Sequence, residues 1–169
     1  SQGETTEAIA SMILQHSQDS FWGLILTSAP PHYEDAPHIQ VYKSNNSVKK
    51  MCRDLKIETV RKQKEYSTQK VNLFHHWQEQ EISSVMISAG SPRTINLQQC
   101  ENLFQGILNF MKAEGILKDH RKKDSENKGK TRIYQPDEEI LVKTSTAGIF
   151  VKEVKVGSYL KQGQKIGEV

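Results

Sequence analysis

Long apolar runs are missing from this chain of 169 residues. A membrane-spanning helix needs about 20 consecutive apolar residues, and the run over residues 21–26 is among the longest here. No secretory signal pattern comes before that run. The sequence therefore predicts a cytoplasmic protein with no membrane partner.

Cysteine is also scarce, with only Cys52 and Cys100 in the chain. The two residues are far apart in sequence, and both fall on helical patterns. This arrangement favours buried free thiols in a reducing compartment over a disulfide or a metal-binding pair.

A strong excess of one charge is absent as well, because 23 Lys and Arg stand against 20 Asp and Glu. Much of the basic excess lies in residues 118–132, which include no strong apolar residue. Nucleic-acid binding would require aromatic side chains between the basic ones, or a basic face on a folded element. We therefore predict a solvated basic linker over residues 118–135 and no nucleic-acid partner.

A strand followed by a capped helix is the clearest pattern that is present. Val85, Met86 and Ile87 form a continuous apolar run, which is typical of a strand covered on both faces in a parallel sheet. Asn96 is predicted to cap a helix that ends at Gly115. The apolar stripe predicted to face the sheet consists of Leu97, Cys100, Phe104, Ile107, Leu108 and Met111.

Other strands and helices alternate along the first 117 residues. The predicted elements are a helix capped by Thr5 or Thr6, a strand over 21–26, a helix capped by Asn46 or Ser47, a short strand over 57–60, and a helix over 71–80 with Leu73, Phe74 and Trp77 inward. Residues 29–37 include three prolines, which predicts a loop and excludes a central strand. The alternation predicts an α/β domain over residues 1–117, with helices on the faces of a sheet.

The pattern changes after the basic linker. Ile140, Val142, Ile149, Val151 and Val154 stand at alternating positions, and glycine turns occur nearby. Such alternation is typical of short strands. Residues 136–169 are therefore predicted to form a small all-β module.

Two further patterns are residues 87–95 with the helix that follows to Leu117, and Ala147-Gly148-Ile149-Phe150 with the later Gly157, Gly163 and Gly167. Together these two stretches resemble the succinylglutamate desuccinylase/aspartoacylase family. Residues 25–30, with Ala36-Pro37-His38 behind them, are a weaker third match. The resemblance implies a carboxypeptidase-like sheet with flanking helices, a C-terminal β domain, and zinc-dependent deacylation of N-acyl amino acids. The β pattern alone also resembles half of a biotinyl/lipoyl-type domain, without the lysine that would carry the cofactor.

The resemblance also assigns the family's site positions. Its Asp-Leu-His run, which supplies a zinc ligand at a strand end, matches Ile25, Leu26 and Thr27, and its general-base glutamate matches Ser88. Zinc prefers imidazole, thiolate or carboxylate ligands, and serine has no carboxylate to take a proton from zinc-bound water. The family's His-x-x-Glu ligand pair has no counterpart here, so we expect the chain to lack an N-terminal part of the family fold and to stop about halfway through the β module. The resemblance thus supports the fold, whereas the two hydroxyls predict no bound zinc.

Other metal or catalytic candidates lie on or near the proline-rich loop. The donors there are His32, Glu34, Asp35 and His38. They include enough nitrogen and oxygen atoms for a metal, with His32 and His38 the weak metal candidates, but their spacing matches no rigid ligand pair and favours a solvated loop. Ser88 with His76 would form a nucleophile pair, but the Gly-x-Ser-x-Gly elbow that exposes such a serine is absent.

Two functions therefore remain open. The first is a zinc-dependent hydrolase of small N-acylated amino acids, with this chain as its metal-poor part. The second is a non-catalytic relative that keeps the scaffold as a binding or assembly module. Unpaired strand edges in a truncated β module would favour association with a second copy or with the missing N-terminal portion.

Overall fold

The computed structural model describes residues 2–63, 73–118 and 131–169. Its helices and strands are α1 (Gln2–Ser17), β1 (Trp22–Thr27), β2 (Asp35–Val41), α2 (Asn46–Asp54), β3 (Thr59–Lys62), α3 (Leu73–Glu79), β4 (Ser83–Gly90), α4 (Leu97–Ala113), β5 (Arg132–Tyr134), β6 (Val151–Lys152) and β7 (Gly167–Glu168). Five strands form one sheet in the order β1-β4-β2-β3-β5, and β6 pairs with β7 separately. The predicted α/β class is confirmed at this level. No helix in the described ranges has the length and apolar character needed to cross a membrane.

The sheet is mixed rather than parallel throughout. Strand β4 pairs in parallel with β1 and antiparallel with β2, while β2 with β3 and β3 with β5 are parallel pairs. Val85 and Ile87 of β4 are fully buried, as the apolar run predicted. The run could not reveal the direction of the β2 neighbour, because burial alone does not encode strand direction.

Strand β2 corrects the prediction of a loop over residues 29–37, since its first three residues fall within that range. The antiparallel register with β4 shifts between Asp35 and His38, so β2 has one extra residue at this point. Pro37 lies inside this bulge, a place where a strand tolerates proline because the hydrogen-bond ladder is already interrupted. A strand that includes Pro37 is thus compatible with the centre of the sheet.

The hydrophobic core lies between one face of the sheet and helices α2 and α4. Its buried members are Ile39, Val41, Val48, Met51, Cys52, Leu55, Ile57, Val60, Val85, Ile87 and Phe110. Gly106 allows α4 to approach the end of α2, because a Cβ at this position would stand 2.5 Å from the carbonyl oxygen of Leu55. This contact determines which side of α4 faces inward.

The ends of α4 confirm the predicted boundaries, whereas its buried face differs from the prediction. Asn96 accepts a hydrogen bond from the backbone N–H of Gln99, and Gly115 adopts a positive φ of 72° after the helix. The inward side contains Gly106 and Phe110, packed with the partly buried Leu103, Ile107 and Met111. Leu97, Cys100 and Phe104 of the predicted stripe are exposed, because the close approach at Gly106 turns their side of the helix outward.

The other helices differ from prediction mainly at their N-termini. Helix α1 begins at Gln2, before either predicted cap. Helix α2 is capped by Asn45, whose side chain accepts from the N–H of Val48. Phe74 of α3 is fully buried, as predicted, while residues 71 and 72 of that predicted helix lie outside the described residues.

The segment after α4 departs most from the sequence expectations. Part of the predicted linker, residues 119–130, lies outside the described residues. Residues 132–134 are not linker, because they form β5 and pair with β3. In residues 136–169 the only strands are β6 and β7, each two residues long, and the predicted all-β module is not shown. Ile140 and Val142, which are two positions apart, and the later Ile149 are all largely exposed, since no described surface covers them.

Candidate functional site

Thr27, Ser88 and His38 lie in one row across three adjacent strands. Thr27 is paired with Ser88 between β1 and β4, and Ser88 is paired with His38 between β4 and β2. Adjacent strands are about 4.8 Å apart, so three positions singled out separately in the sequence are neighbours. Thr27 and Ser88 are near the carboxyl ends of parallel strands, where α/β proteins place ligands.

The row lies on the sheet face opposite the hydrophobic core. Residues Ile39, Val60 and Ile87 point into the core, and alternate residues of a strand point to opposite faces. We call the following set the polar face: Thr27, Asp35, His38, Gln40, Arg61 and Ser88. Helix α3 covers another part of this side, because the ring of Trp77 lies where a Cβ of Gly23 would be.

The hydroxyl of Ser88 is directed at a carboxylate from the neighbouring strand. Ser88 is 2 % exposed, and its Oγ donates to Oδ2 of Asp35 over 2.8 Å. The bulge in β2 makes this possible, since the extra residue places Asp35 on the same face as His38. Thr27 differs, because it is exposed and its Oγ1 donates to the carbonyl of Ser28 over 3.3 Å.

The imidazole of His38 has polar partners at both ring nitrogens. Its Nδ1 lies 2.9 Å from the carbonyl oxygen of Ala36, which requires a donor at Nδ1. With the proton there, Nε2 is the acceptor for Gln40 Nε2 at 3.1 Å and for Arg61 Nη1 at 3.4 Å. His38 is thus a fixed polar residue within the sheet and not a solvated loop residue.

The guanidinium of Arg61 joins this face to residues 135–169, which we call the C-terminal segment. Its Nε and an Nη donate to the two carboxylate oxygens of Glu139 over 2.7 and 2.6 Å. These hydrogen bonds raise the pKa of Arg61 and lower the pKa of Glu139. A second ion pair, between Lys152 and Glu34, joins the same two regions.

The four predicted loop donors do not converge on one point. His32 occupies an exposed turn with a positive φ of 71°, Glu34 pairs with Lys152, and Asp35 and His38 belong to β2. Among residues 2–63, 73–118 and 131–169 there is no group of three or more His, Cys, Asp or Glu side chains arranged to hold a metal. Thr27 and Ser88, the two positions that the resemblance assigns, offer neutral hydroxyl oxygens, whereas zinc prefers imidazole, thiolate or carboxylate ligands. The hydroxyl of Ser88 donates to Asp35, and not to His76 as the alternative nucleophile pair would require.

Sequence reasoning missed three participants: Gln40, Arg61 and Glu139. A usable signal was present for Gln40, because residues 38–41 alternate between polar and apolar as in a half-buried strand. Arg61 and Glu139 are 78 positions apart, and no local pattern connects them.

A separate cavity of about 700 Å³ lies between α4, the start of β3 and residues 157–159. Its walls include Asn102 and Gly106 of α4, Tyr134 of β5, and Tyr159 of the C-terminal segment. Arg132 stacks on the ring of Tyr159, with 5.2 Å between the guanidinium carbon and the ring centre. None of the predicted site residues lines this cavity.

The mixed sheet, its flanking helices and the strand-end row are consistent with a carboxypeptidase-like fold. No protein-family model matches the sequence, and no curated protein matches it. Among solved structures, the chain is similar to a succinylglutamate desuccinylase/aspartoacylase from Rhodobacter sphaeroides, with a TM-score of 0.60 and 14 % identity. The match covers 92 % of this chain and 49 % of that protein, so the chain spans about half its length. At this identity the similarity shows a shared fold.

Proposed function

We propose that this chain is a non-catalytic relative of the zinc-dependent deacylases, and that its polar face binds a small N-acyl amino acid without hydrolysing it. The proposal rests mainly on Ser88. At the position that the resemblance assigns to the general base, the chain has a buried hydroxyl that donates to Asp35. A hydroxyl held in this way contributes polarity and shape to a binding face, but no carboxylate of its own.

The chemistry of the remaining row supports binding over zinc hydrolysis. Thr27 offers a neutral oxygen at the assigned ligand position, and such an oxygen is a weak partner for zinc. The ring nitrogens of His38 already have protein partners. Loss of a general base alone lowers a hydrolytic rate by about 10²–10⁴-fold.

The test uses this chain with added Zn²⁺ and, as ligands, N-acetylaspartate and N-succinylglutamate. We expect saturable binding in calorimetry, little zinc retained after gel filtration, and no release of free amino acid. The variant His38→Ala is compared with His32→Ala, a matched control at the exposed turn. Neither variant should differ from the wild-type chain in zinc content. Stoichiometric zinc together with turnover would overturn the proposal, and so would the absence of ligand binding.

A second candidate, a hydrolase with a displaced acid–base group, is favoured by one observation. Asp35 Oδ2 lies 2.8 Å from Ser88 Oγ, within the distance over which a general base takes a proton. In this hypothesis Asp35 of β2 acts as the general base, in place of the glutamate that the family has at the position of Ser88. Turnover that Asp35→Asn abolishes and Glu34→Gln leaves intact would favour the hydrolase; no turnover in any of the three proteins would exclude it.

A further inference from the structure

We propose that Arg61 is the carboxylate-recognition residue of the polar face, and that Glu139 is an internal occupant which the carboxylate of a ligand displaces. The inference deepens the proposed binding function and rests on it. The ligand class is small molecules with a free carboxylate, namely dicarboxylates and acylated amino acids.

The geometry of Arg61 suits a carboxylate from any source. Its two donating nitrogens meet the two oxygens of Glu139 side by side, over 2.7 and 2.6 Å. This fork arrangement is how a guanidinium recognises carboxylates in general. The side chains of Arg61 and Glu139 are 34 % and 43 % exposed, so a dissolved ligand can reach the pair.

A second residue, His38, positions the guanidinium of Arg61. Arg61 Nη1 lies 3.4 Å from Nε2 of His38, and His38 is itself fixed by the carbonyl of Ala36 and by Gln40. A donor fork positioned in this way loses less side-chain freedom when it binds an anion. The arginine is therefore already arranged for a carboxylate before any ligand arrives.

Glu139 is placed so that the carboxylate of a ligand can displace it from Arg61. It follows β5 in a stretch without helix or strand, and it reaches Arg61 from 78 positions further along the chain. A tethered group competes with free ligand at an effective concentration set by its tether. Removal of its charge should therefore increase the apparent affinity for a dissolved carboxylate.

Arg61 is more accessible than the polar residues behind it in the sheet. Its side chain is 34 % exposed, whereas His38 and Ser88 are 3 % and 2 % exposed. A dissolved carboxylate would therefore reach Arg61 before it reached either of these residues.

The experiment compares calorimetric titrations of succinate into wild type, Glu139→Gln and Arg61→Gln/Glu139→Gln. Glu139→Gln should bind succinate at least about 10-fold more tightly than wild type, and the double variant should lose binding. Glu138→Gln, the neighbouring acid, is the matched control and should resemble wild type. Succinamide, which has the same length without charge, should not bind to any of the proteins.

Hydrogen exchange of the wild-type chain provides a test that needs no variant. Saturating succinate should speed exchange of the amides around Glu139, because that segment is released. Unchanged exchange, or an affinity in Glu139→Gln no higher than in wild type, would overturn the inference. Binding of N-acetylaspartate that survives Arg61→Gln would also overturn it while leaving the proposed function intact, whereas zinc-dependent turnover would overturn the proposed function and not the role of Arg61.

Discussion

The sheet domain, which comprises β1–β5 and their helices, and the C-terminal segment contain similar apolar residues. These residues are buried in the sheet domain and exposed in the C-terminal segment. Ile39 and Val41 of β2 are buried beneath α2 and α4. Ile140 and Val142, with the same spacing and the same side-chain types, are 87 % and 71 % exposed. The difference shows that alternation of β-branched residues forms a strand only where a second layer covers one face.

Several polar contacts join the two regions. They include the ion pairs of Arg61 with Glu139 and of Lys152 with Glu34, and the stacking of Arg132 on Tyr159. Exposed ion pairs contribute at most about 1 kcal/mol each. The sheet domain should therefore keep its stability when the C-terminal segment is perturbed, and three measurements can challenge that expectation.

Thiol labelling should give the largest difference between the regions. Burial raises the pKa of the Cys52 thiol to about 11, whereas an exposed thiol titrates near 8.5. In a Cys100→Ser background at pH 8, Cys52 should react on the order of 10²-fold more slowly than a thiol introduced by Ile140→Cys. Both thiols should react at similar rates in urea; similar rates in the folded protein would mean that residue 140 is covered.

Truncation of a core isoleucine should give the next largest effect. Ile39→Ala removes a fully buried side chain at the centre of the sheet and should lower the free energy of unfolding by about 2–5 kcal/mol. Ile140→Ala is the matched change in the C-terminal segment and should alter it by less than about 0.5 kcal/mol. Urea denaturation monitored by tryptophan fluorescence measures both. A comparable loss in the two variants would contradict the contrast between the regions.

Lowering the pH should weaken the ion pair of Arg61 with Glu139, and this effect on stability should be the smallest of the three. Hydrogen bonds from Arg61 lower the pKa of Glu139, so the stability that this pair adds is present above the ordinary glutamate pKa and is lost as the pH falls through the lowered value. Glu139→Gln should be less stable than wild type at pH 7 by at most about 1 kcal/mol. The difference should disappear once the pH falls below the lowered pKa of Glu139. A difference that persists there would mean that Glu139 contributes through packing.

Local signals predicted part of this fold well. The cap at Asn96 and the turn at Gly115 depend on residues within one helical turn, and both appear as predicted. The buried side of α4 was predicted wrongly, because it depends on the contact between Gly106 and Leu55, which are distant in sequence. Strand β2 was missed because proline rules assume a regular ladder, whereas Pro37 lies in a bulge.

The candidate site was predictable only as separate residues. Thr27, Ser88 and His38 could each be selected from the sequence, but their common row depends on the order of β1, β4 and β2 in the sheet. The link from Arg61 to Glu139 depends on where the C-terminal segment crosses the sheet, and composition does not encode that path.

The extra residue of β2 has a consequence for comparing this protein with others. One inserted or deleted residue between Asp35 and His38 would turn the acid from one side of the sheet to the other without changing a single side chain. A position-by-position alignment records only the hydroxyl of Ser88, although a carboxylate oxygen from the next strand lies 2.8 Å from it. Relatives of this chain are therefore better compared by what surrounds position 88 in space than by the letter found there.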